Sequence, residues 1–553
     1  MGSEILKKNT FIEGAFVSTL GLVLCKILGI IYVIPFRAII GVQGSILYSY
    51  AYSIYAVFAS LSSTGIPSAM AKTISEYNTL GYYNSQERAY KICRNIIVVI
   101  GIICFLILFI FAPSISYMII GDIEGGNTIE DITFVIRIIS TALLFIPILS
   151  VSKGYVQGHR MMAVPAVANV IEQLVRVIVI LLGSFLVLKV FNLSITTAVG
   201  VATFGATAGA IFAYLYILYK INKNRKVLKR DEPITAPEKA ITNKKIFKQI
   251  VLYSLPFVII EFVRSIYNNV DTFTVVKGLV ALGYSVSDAE NILSIITTWG
   301  AKLNIIILSI SFGLTTSIIP NIVSSATLKN YKDVSLKINQ ALKIILYTTL
   351  PMTLGIYFLS SSVWTLFYGY DLLSVQVFSF YVFQTIINSF FSILVDTTNA
   401  LNDPKSAFIA LFGSFILKAV LNIPMMNLVY YMGIEAYYGS IITTMLVQGI
   451  SVVYLLFNLR KKYKVDYKNS VPTFIKVILV NIIMLLSLMI FRLLQNNIIG
   501  SFSHTRLSSI LEIIIYATIG VIIYVVLSLK NNLFEEVFGK EFINKIKRKF
   551  IKK

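Results

Sequence analysis

Charge is scarce in this chain. Of 553 residues only 13% are charged, 57% are apolar, and the mean hydropathy is +0.80. A water-soluble fold of this length needs far more polar surface to cover its core, so the bilayer is the solvent for most of the chain. Histidine and cysteine are scarcer still, at two and three residues. His159 and His504 fall in different loops, on opposite membrane faces in the topology below, and Cys25, Cys93 and Cys104 form no metal-spaced pair. This removes the usual metal-ligand sets and leaves free thiols without a disulfide. No glycine-rich phosphate loop and no G-x-S-x-G string occurs, so the reading is that the chain is not an enzyme. Acids are also few, 26 against 48 lysines and arginines, for a formal net charge of +22. That excess does not describe a nucleic-acid surface, because the basic residues lie in short loops between apolar segments, where they set orientation. The opening MGSEILKKNTFIEG leads straight into an apolar segment without a small-residue cleavage site, which predicts a retained first span rather than a removed signal peptide.

What is abundant is apolar runs of membrane-spanning length. About 20 apolar residues cross the ~30 Å hydrocarbon layer, and that ruler predicts spans near 14–36, 44–66, 95–120, 131–152, 163–188, 195–219, 247–274, 291–317, 343–365, 375–398, 406–428, 437–459, 472–491 and 508–529. The runs are continuous rather than alternating, so they are helices, not barrel strands. With Lys248, Lys343 and Lys476, near span ends, counted in the adjoining loops, the two termini and the even-numbered loops hold 37 lysines and arginines, the odd-numbered loops 5. The positive-inside rule then places both termini in the cytoplasm.

The first twelve spans divide at the basic segment KINKNRKVLKR. Each half carries a similar stretch after its second span: STGIPSAMAKTISEY with Pro67, and TTSIIPNIVSSATLKNY with Pro320, followed by Lys91 and Lys343 at nearly the same offset. Arg176 and Lys418 fall near the middle of the fifth and eleventh spans. The expectation is an all-α polytopic membrane protein of about fourteen helices, in two six-helix lobes with pseudo-two-fold symmetry plus a C-terminal helix pair. Its segments are 1–221 (helices 1–6), a basic linker 222–246, 247–460 (helices 7–12), and 461–553 with the last pair and a basic tail. Transporters built from such repeats bind substrate near the midplane.

Six basic residues remain inside the spans: Lys26, Arg137, Arg176, Arg264, Lys302 and Lys418. Each costs about 3 kcal/mol or more at a helix centre and so avoids lipid. Glu172 and Arg176 are four apart and suit a local ion pair, as do Glu261 and Arg264 three apart; Arg137 can snorkel outward. Lys26 and Lys302 have no acid within one turn of their own helices and are the best candidates for a water-filled, substrate-facing surface, with Lys418 equally suited to a structural role. The six cations outnumber Glu172, Glu261, Asp271 and Asp396. Asp271, in SIYNNVDTF, offers oxygen ligands for sodium or a carboxylate for protons, or else a hydrogen-bonded helix end; Asp396 suits a cap.

The strings CKILGIIYVIPFRAIIG at 25–41, GIPSAMAKTISEY, SIIPNIVSSATLKNY and GYVQGHRMMAVPAVANVIEQLVRVIVI at 154–180 resemble the multidrug/oligosaccharidyl-lipid/polysaccharide exporter superfamily, in its branch of stage V sporulation protein B-like and lipid II flippase-like polysaccharide biosynthesis proteins. That resemblance implies a V-shaped pair of six-helix lobes, alternating access, and a flippase of lipid-linked oligosaccharide or peptidoglycan precursors in the cytoplasmic membrane, serving cell-wall or spore-cortex synthesis. The partners it implies are an undecaprenyl-linked sugar and membrane lipid, with no nucleic acid. It also implies basic cavity residues that meet a lipid diphosphate, at positions matched by Lys26 and Lys302, with Arg264, Arg176 and Lys418 as further candidates. A cation site would use Asp271, with Asn422 as a candidate partner for sodium or proton coupling and no other cofactor. Tyr32, the tyrosines Tyr52 and Tyr55, and Ala301 stand where the family's lipid II flippases carry further charges, which favours the sporulation-type branch. The alternative within the same core is a multidrug and toxin extrusion antiporter. Such proteins export cationic drugs and usually carry acids where this chain has Lys26. A non-transporting scaffold is a third reading.

Overall fold

The computed structural model describes residues 21, 24–63, 65–123, 125–159, 161–224, 241–316, 318–498 and 500–539, and every regular element among them is helical. In chain order these are α1 Leu24–Ile31, α2 Val33–Ser63, α3 Ile66–Thr79, α4 Tyr83–Ile110, α5 Ala112–Ile120, α6 Ile129–Ser140, α7 Ile146–Gly158, α8 Ala163–Val190, α9 Ile195–Lys223, α10 Asn243–Ala281 and α11 Val286–Ser294. A π-helical turn, Ile295–Trp299, leads to α12 Gly300–Thr316, α13 Ile319–Thr327, α14 Tyr331–Phe358, α15 Ser360–Tyr368, α16 Leu372–Tyr381, α17 Gln384–Ala400, α18 Pro404–Tyr431, α19 Tyr437–Tyr463, α20 Val471–Ile498, α21 Arg506–Lys530 and α22 Leu533–Phe538. In lipid no water can satisfy a peptide group, so each apolar run closes its own hydrogen bonds as a helix. Polar side chains mark the starts: Thr128 and Asp131 form a capping box, and Asp371, Asp403 and Thr505 each accept a backbone N–H of the first turn.

Twelve helices are long and apolar enough to span, and they coincide with the third to fourteenth predicted segments. Residues 14–20, 22 and 23 of the first predicted segment lie outside the described residues, and the remainder forms with the second segment a bent pair, Leu24–Ile31 and Val33–Leu61, inclined at 40°. Counted as a single span, the pair brings the number to thirteen, so the expected fourteen is not reached among the described residues. Two features shape this stretch. The chain leaves the helix at Tyr32, and Gly41 takes φ +69°, a conformation that a side chain would strain.

The repeat seen in sequence returns as a repeat of elements. The helices after the two proline-led segments, α4 and α14, both have 28 residues, and α5 and α15 both have 9. A broken helix follows in each half, then a 28-residue helix (α8, α18) and one of 29 or 27 (α9, α19). Arg176 and Lys418 both stand at the middle of their 28-residue helices.

The chain forms two compact units, Met1–Phe273 and Thr274–Lys553, which divide within α10. In the first unit the early turns of α10 are tied to α3. Tyr77 donates to Gln249 (2.8 Å), Gln249 and Tyr253 donate to Glu76 (2.8 and 3.2 Å), and the Lys72 ammonium lies 4.0 Å from the centre of the Tyr253 ring. In the second unit the last helix pair, α20 and α21, packs on α14 and α15 through Tyr347, Phe358, Met484, Tyr516 and Tyr524. The opposite faces of the pair expose Ile475, Leu479, Ile482, Leu486, Ile514 and Val521, as a lipid-facing surface does.

Candidate functional site

In the first unit one acid meets two cations. Glu172 of α8 accepts from Arg176, four residues on, at 2.9 Å, and from Lys153 of α7 at 2.8 Å; all three side chains are largely buried. The backbone of α8 can lie this close to α9 because Gly205 and Gly209 face it: a Cβ at Gly209 would stand 2.5 Å from the Glu172 carbonyl oxygen. This small-xxx-small contact is a recurrent way for membrane helices to approach. It fixes the turn that carries the ion pair.

One carboxylate cannot neutralise two cations, and the surplus faces tyrosines. Arg176 Nη1 donates to the Tyr52 hydroxyl at 3.5 Å, and Arg176 Nε is buried with no acceptor among the described residues. Tyr52 stacks on Tyr48 (centroids 5.3 Å apart) and meets Tyr55 edge-on at 5.6 Å, so successive turns of α2 build an aromatic ladder beside the guanidinium. Helix α1 runs along α8, with Gly21 against Ala166 and Gly29 against the Gln173 amide. Cys25 lies in the field of Glu172, Lys153 and Arg176, and its neighbour Lys26 is exposed. Lys153 and Arg176 therefore form a cationic, aromatic-walled region with one acid, and Lys26 lies on the neighbouring helix α1.

The other predicted residues are distributed as follows. Arg264 pairs with Glu261 at 3.2 Å on α10, half-exposed. Asp271, farther along the same helix, is 5% exposed, between the buried side chains of Asn269 and Thr272, whose oxygens Asn269 Oδ1 and Thr272 Oγ1 find no partner among the described residues. In the second unit Lys302 follows the π-helical turn and lays its ammonium 4.4 Å from the centre of the Trp299 indole. Such turns often accompany functional positions. Lys418 belongs to a buried polar stripe of α18, Ser414, Lys418 and Asn422, spaced by four. Ser414 meets Ser451 of α19 at 2.7 Å, and Asn422 donates to Thr274 at 2.7 Å. With 2% exposure, Lys418 has no surface to offer a substrate in this conformation. Arg137 donates to the Phe109 carbonyl at 3.3 Å and lies 5.2 Å from the centre of the Phe109 ring. Among the described residues no cluster of histidine, cysteine and acids could hold a metal.

Four participants escape the sequence reading. Lys153 falls in a loop by hydropathy, because the apolar run ends at residue 152 while the helix continues to Gly158. Arg492 was likewise set outside its span, yet it pairs with Glu512 of α21, and Ser362 of α15 donates to the same carboxylate. Glu512, 5% exposed, and Glu290, 2% exposed within the spanning stretch Val286–Ser309, raise the tally of four membrane acids to six. The surplus of cations survives, since Lys153 and Arg492 enter with them.

The family profile described as "Polysaccharide biosynthesis protein" matches residues 11–307. The lipid II flippase MurJ of Bacillus subtilis is 32% identical over 540 residues, 96% of this chain and 97% of that relative. Stage V sporulation protein B of the same organism is 23% identical over 343 residues, 62% of this chain and 63% of that protein. Among solved structures, a lipid II flippase MurJ in an inward closed conformation aligns with a TM-score of 0.65 at 16% identity, over 96% of this chain and all of that one. An inward-facing multidrug resistance MATE family transporter of the MOP superfamily aligns at 0.60 and 13% identity, over 80% of this chain and 98% of that one. At such identities the structural matches speak for the fold alone.

Proposed function

The chain belongs to the polysaccharide biosynthesis protein family, and from that premise we propose that it is a flippase for a lipid-linked, phosphate-bearing saccharide precursor such as lipid II, working by alternating access. The observation that carries this reading is the Lys153–Glu172–Arg176 cluster, with Lys26 on the neighbouring helix α1. A carboxylate already shared between two cations leaves positive charge that a diphosphate satisfies through charge-assisted hydrogen bonds. Tyr52, partly exposed, puts its ring next to those donors, suited to the ring of a sugar, with the buried Tyr48 and Tyr55 packed against it. A charged head group needs such a polar, protein-lined passage, since bare charge in hydrocarbon is prohibitive. The lipid tail needs none. Lys302 is a second cationic position, in the other unit, and Arg264 a third; Lys418, being buried, contributes field rather than contact.

Ion coupling is part of the same proposal. Asp271, with buried oxygens on either side of it in the chain, suits a desolvating cation or a proton, and Asn422 is a separate candidate on α18. Replacement of Asp271 by asparagine is expected to remove the dependence of transport on an ion gradient without loss of assembly. Unchanged ion dependence would return Asp271 to a structural role.

The substrate reading is tested by binding. Purified protein titrated with a short-chain lipid-linked diphosphate saccharide is expected to lose about tenfold in affinity or more when Arg176 or Lys26 becomes alanine, since a hydrogen bond to a charged group is worth roughly 1.5–3 kcal/mol. Equal affinity of the variants and the parent would contradict it. The fold it shares with MATE transporters leaves cationic drugs as the second reading. Saturable binding of cationic dyes at the same cluster would favour that one.

A further inference from the structure

The second unit holds a charged cavity that the transport reading does not use. It measures about 620 Å³ and lies among the first turns of α14, the segment Lys464–Ser470 between α19 and α20, and α22, on the lysine-rich side of the membrane. The volume is in the range of small-ligand pockets, roughly 300–1,000 Å³. Three lysines line it, Lys332, Lys343 and Lys464, with two acids, Asp466 and Glu536.

The wall is cross-linked by hydrogen bonds, and of its two acids Glu536 is ion-paired while Asp466 takes a backbone amide. Asn339 donates to the Asp466 carbonyl at 2.8 Å and accepts from Ser470 at 2.7 Å, while the Asp466 amide donates to Ser335 at 3.0 Å. Asp466 Oδ1 accepts the Lys468 amide at 3.1 Å. Glu536 is taken by Lys476 on one oxygen and by the Thr473 hydroxyl, at 2.9 Å, on the other. None of the three cavity lysines makes an ion pair or hydrogen bond among the described residues, and Lys343 is half-buried. Lys464 also holds φ +54° at the end of α19, where glycine or asparagine is usual. Its backbone is kept in a conformation that disfavours a Cβ, and its side chain borders the cavity.

We propose that this cavity is a binding site for an anionic phosphate group, distinct from the transport cluster. Lysine brings only donors and a compact charge, and a phosphate offers several acceptor oxygens to match three of them. The group can arrive on an anionic lipid, since basic pockets at helix ends accept such head groups, or on a water-soluble phosphate compound. Two probes separate the sources: dioctanoyl phosphatidylglycerol, with dioctanoyl phosphatidylcholine as its zwitterionic control, and inorganic pyrophosphate.

Each probe is titrated into the full-length protein in detergent, with binding followed by native mass spectrometry for the lipids and by calorimetry for pyrophosphate. Phosphatidylglycerol or pyrophosphate is expected to bind, at least tenfold more weakly in Lys343→Gln/Lys464→Gln, and with near-parent affinity in Lys343→Arg/Lys464→Arg. Binding of the lipid alone assigns a head-group site; binding of pyrophosphate alone assigns a soluble ligand. If the glutamine pair does not fold, Lys332→Gln is read in the same titration and is expected to weaken binding. The proposal is overturned if neither probe binds, if the glutamine variant that folds binds as the parent does, or if phosphatidylcholine competes equally.

Discussion

Glu172 is the residue on which the first-unit cluster depends. Breaking a buried pair by removing one partner costs about 3–5 kcal/mol, because an uncompensated charge stays behind. Glu172→Ala would strand two cations, Lys153 and Arg176, whereas Lys153→Met leaves one intact pair. The alanine variant is therefore expected to melt well below the methionine variant in the same detergent, as read by tryptophan-independent thermal unfolding. Equal melting points would mean that Lys153 and Glu172 do not interact as their 2.8 Å separation implies. The Glu172–Arg176 pair was legible in the sequence because i,i+4 spacing on one helix is a local property. Lys153 was not legible, since hydropathy marks where the apolar run stops and not where the helix stops. The burial of Lys418 was hidden for another reason. A charged residue at mid-span is known to avoid lipid, but only packing decides whether it faces water or a neighbouring helix.

At the scale of elements, side-chain ties decide how helices are held to one another. Arg492 on α20, Glu512 on α21 and Ser362 on α15 meet at one carboxylate, and the guanidinium also covers the Phe358 ring at 4.8 Å. Glu512→Ala is expected to loosen α20 and α21 from α15, which limited proteolysis or hydrogen exchange would show as faster attack confined to 471–530. Protection equal to the parent's would contradict that role. A second tie is pH-dependent. Burial alone would raise the Asp403 carboxyl, but hydrogen bonds from Lys462, Ser406 and Asn458 outweigh it and hold it below its usual value. A depressed carboxylate contributes stability that is complete above its unfolded pKa, about 3.9, and lost as the pH falls through the folded value. The melting-point gap between the parent and Asp403→Asn should thus be steady near neutrality and close below about pH 4. A gap that persists at lower pH would refute the linkage. The caps and long helices were readable from composition and period. The bend after Ile31 falls where Pro35 cannot donate to the Ile31 carbonyl and crowds it, a signal that hydropathy alone passes over.

Over the whole molecule, the repeated series of helix lengths and the one-sided distribution of lysine and arginine were visible in the sequence, whereas the division of the chain inside α10 was not. Residues 225–240 of the basic linker before that helix lie outside the described residues. The first turns of α10 pack on α3 through Tyr77, Glu76 and Gln249, a contact 172 residues apart that no local pattern announces. Orientation follows from charge alone. In a background without Cys25, Cys93 and Cys104, Ile123→Cys is expected to label from outside intact cells and Lys461→Cys only after lysis; labelling of both from outside would reverse the topology. The central claim is translocation of a lipid-linked diphosphate saccharide, and it is tested most directly in reconstituted vesicles. With a fluorescent lipid-linked diphosphate saccharide in both leaflets, an impermeant sugar-cleaving enzyme added outside should reach the inner-leaflet pool only when the protein is present. Lys26→Ala/Arg176→Ala should abolish that transfer while inserting as the parent does. Transfer at the parental rate by the double variant, or none by the parent while it exports cationic dyes, would contradict the account.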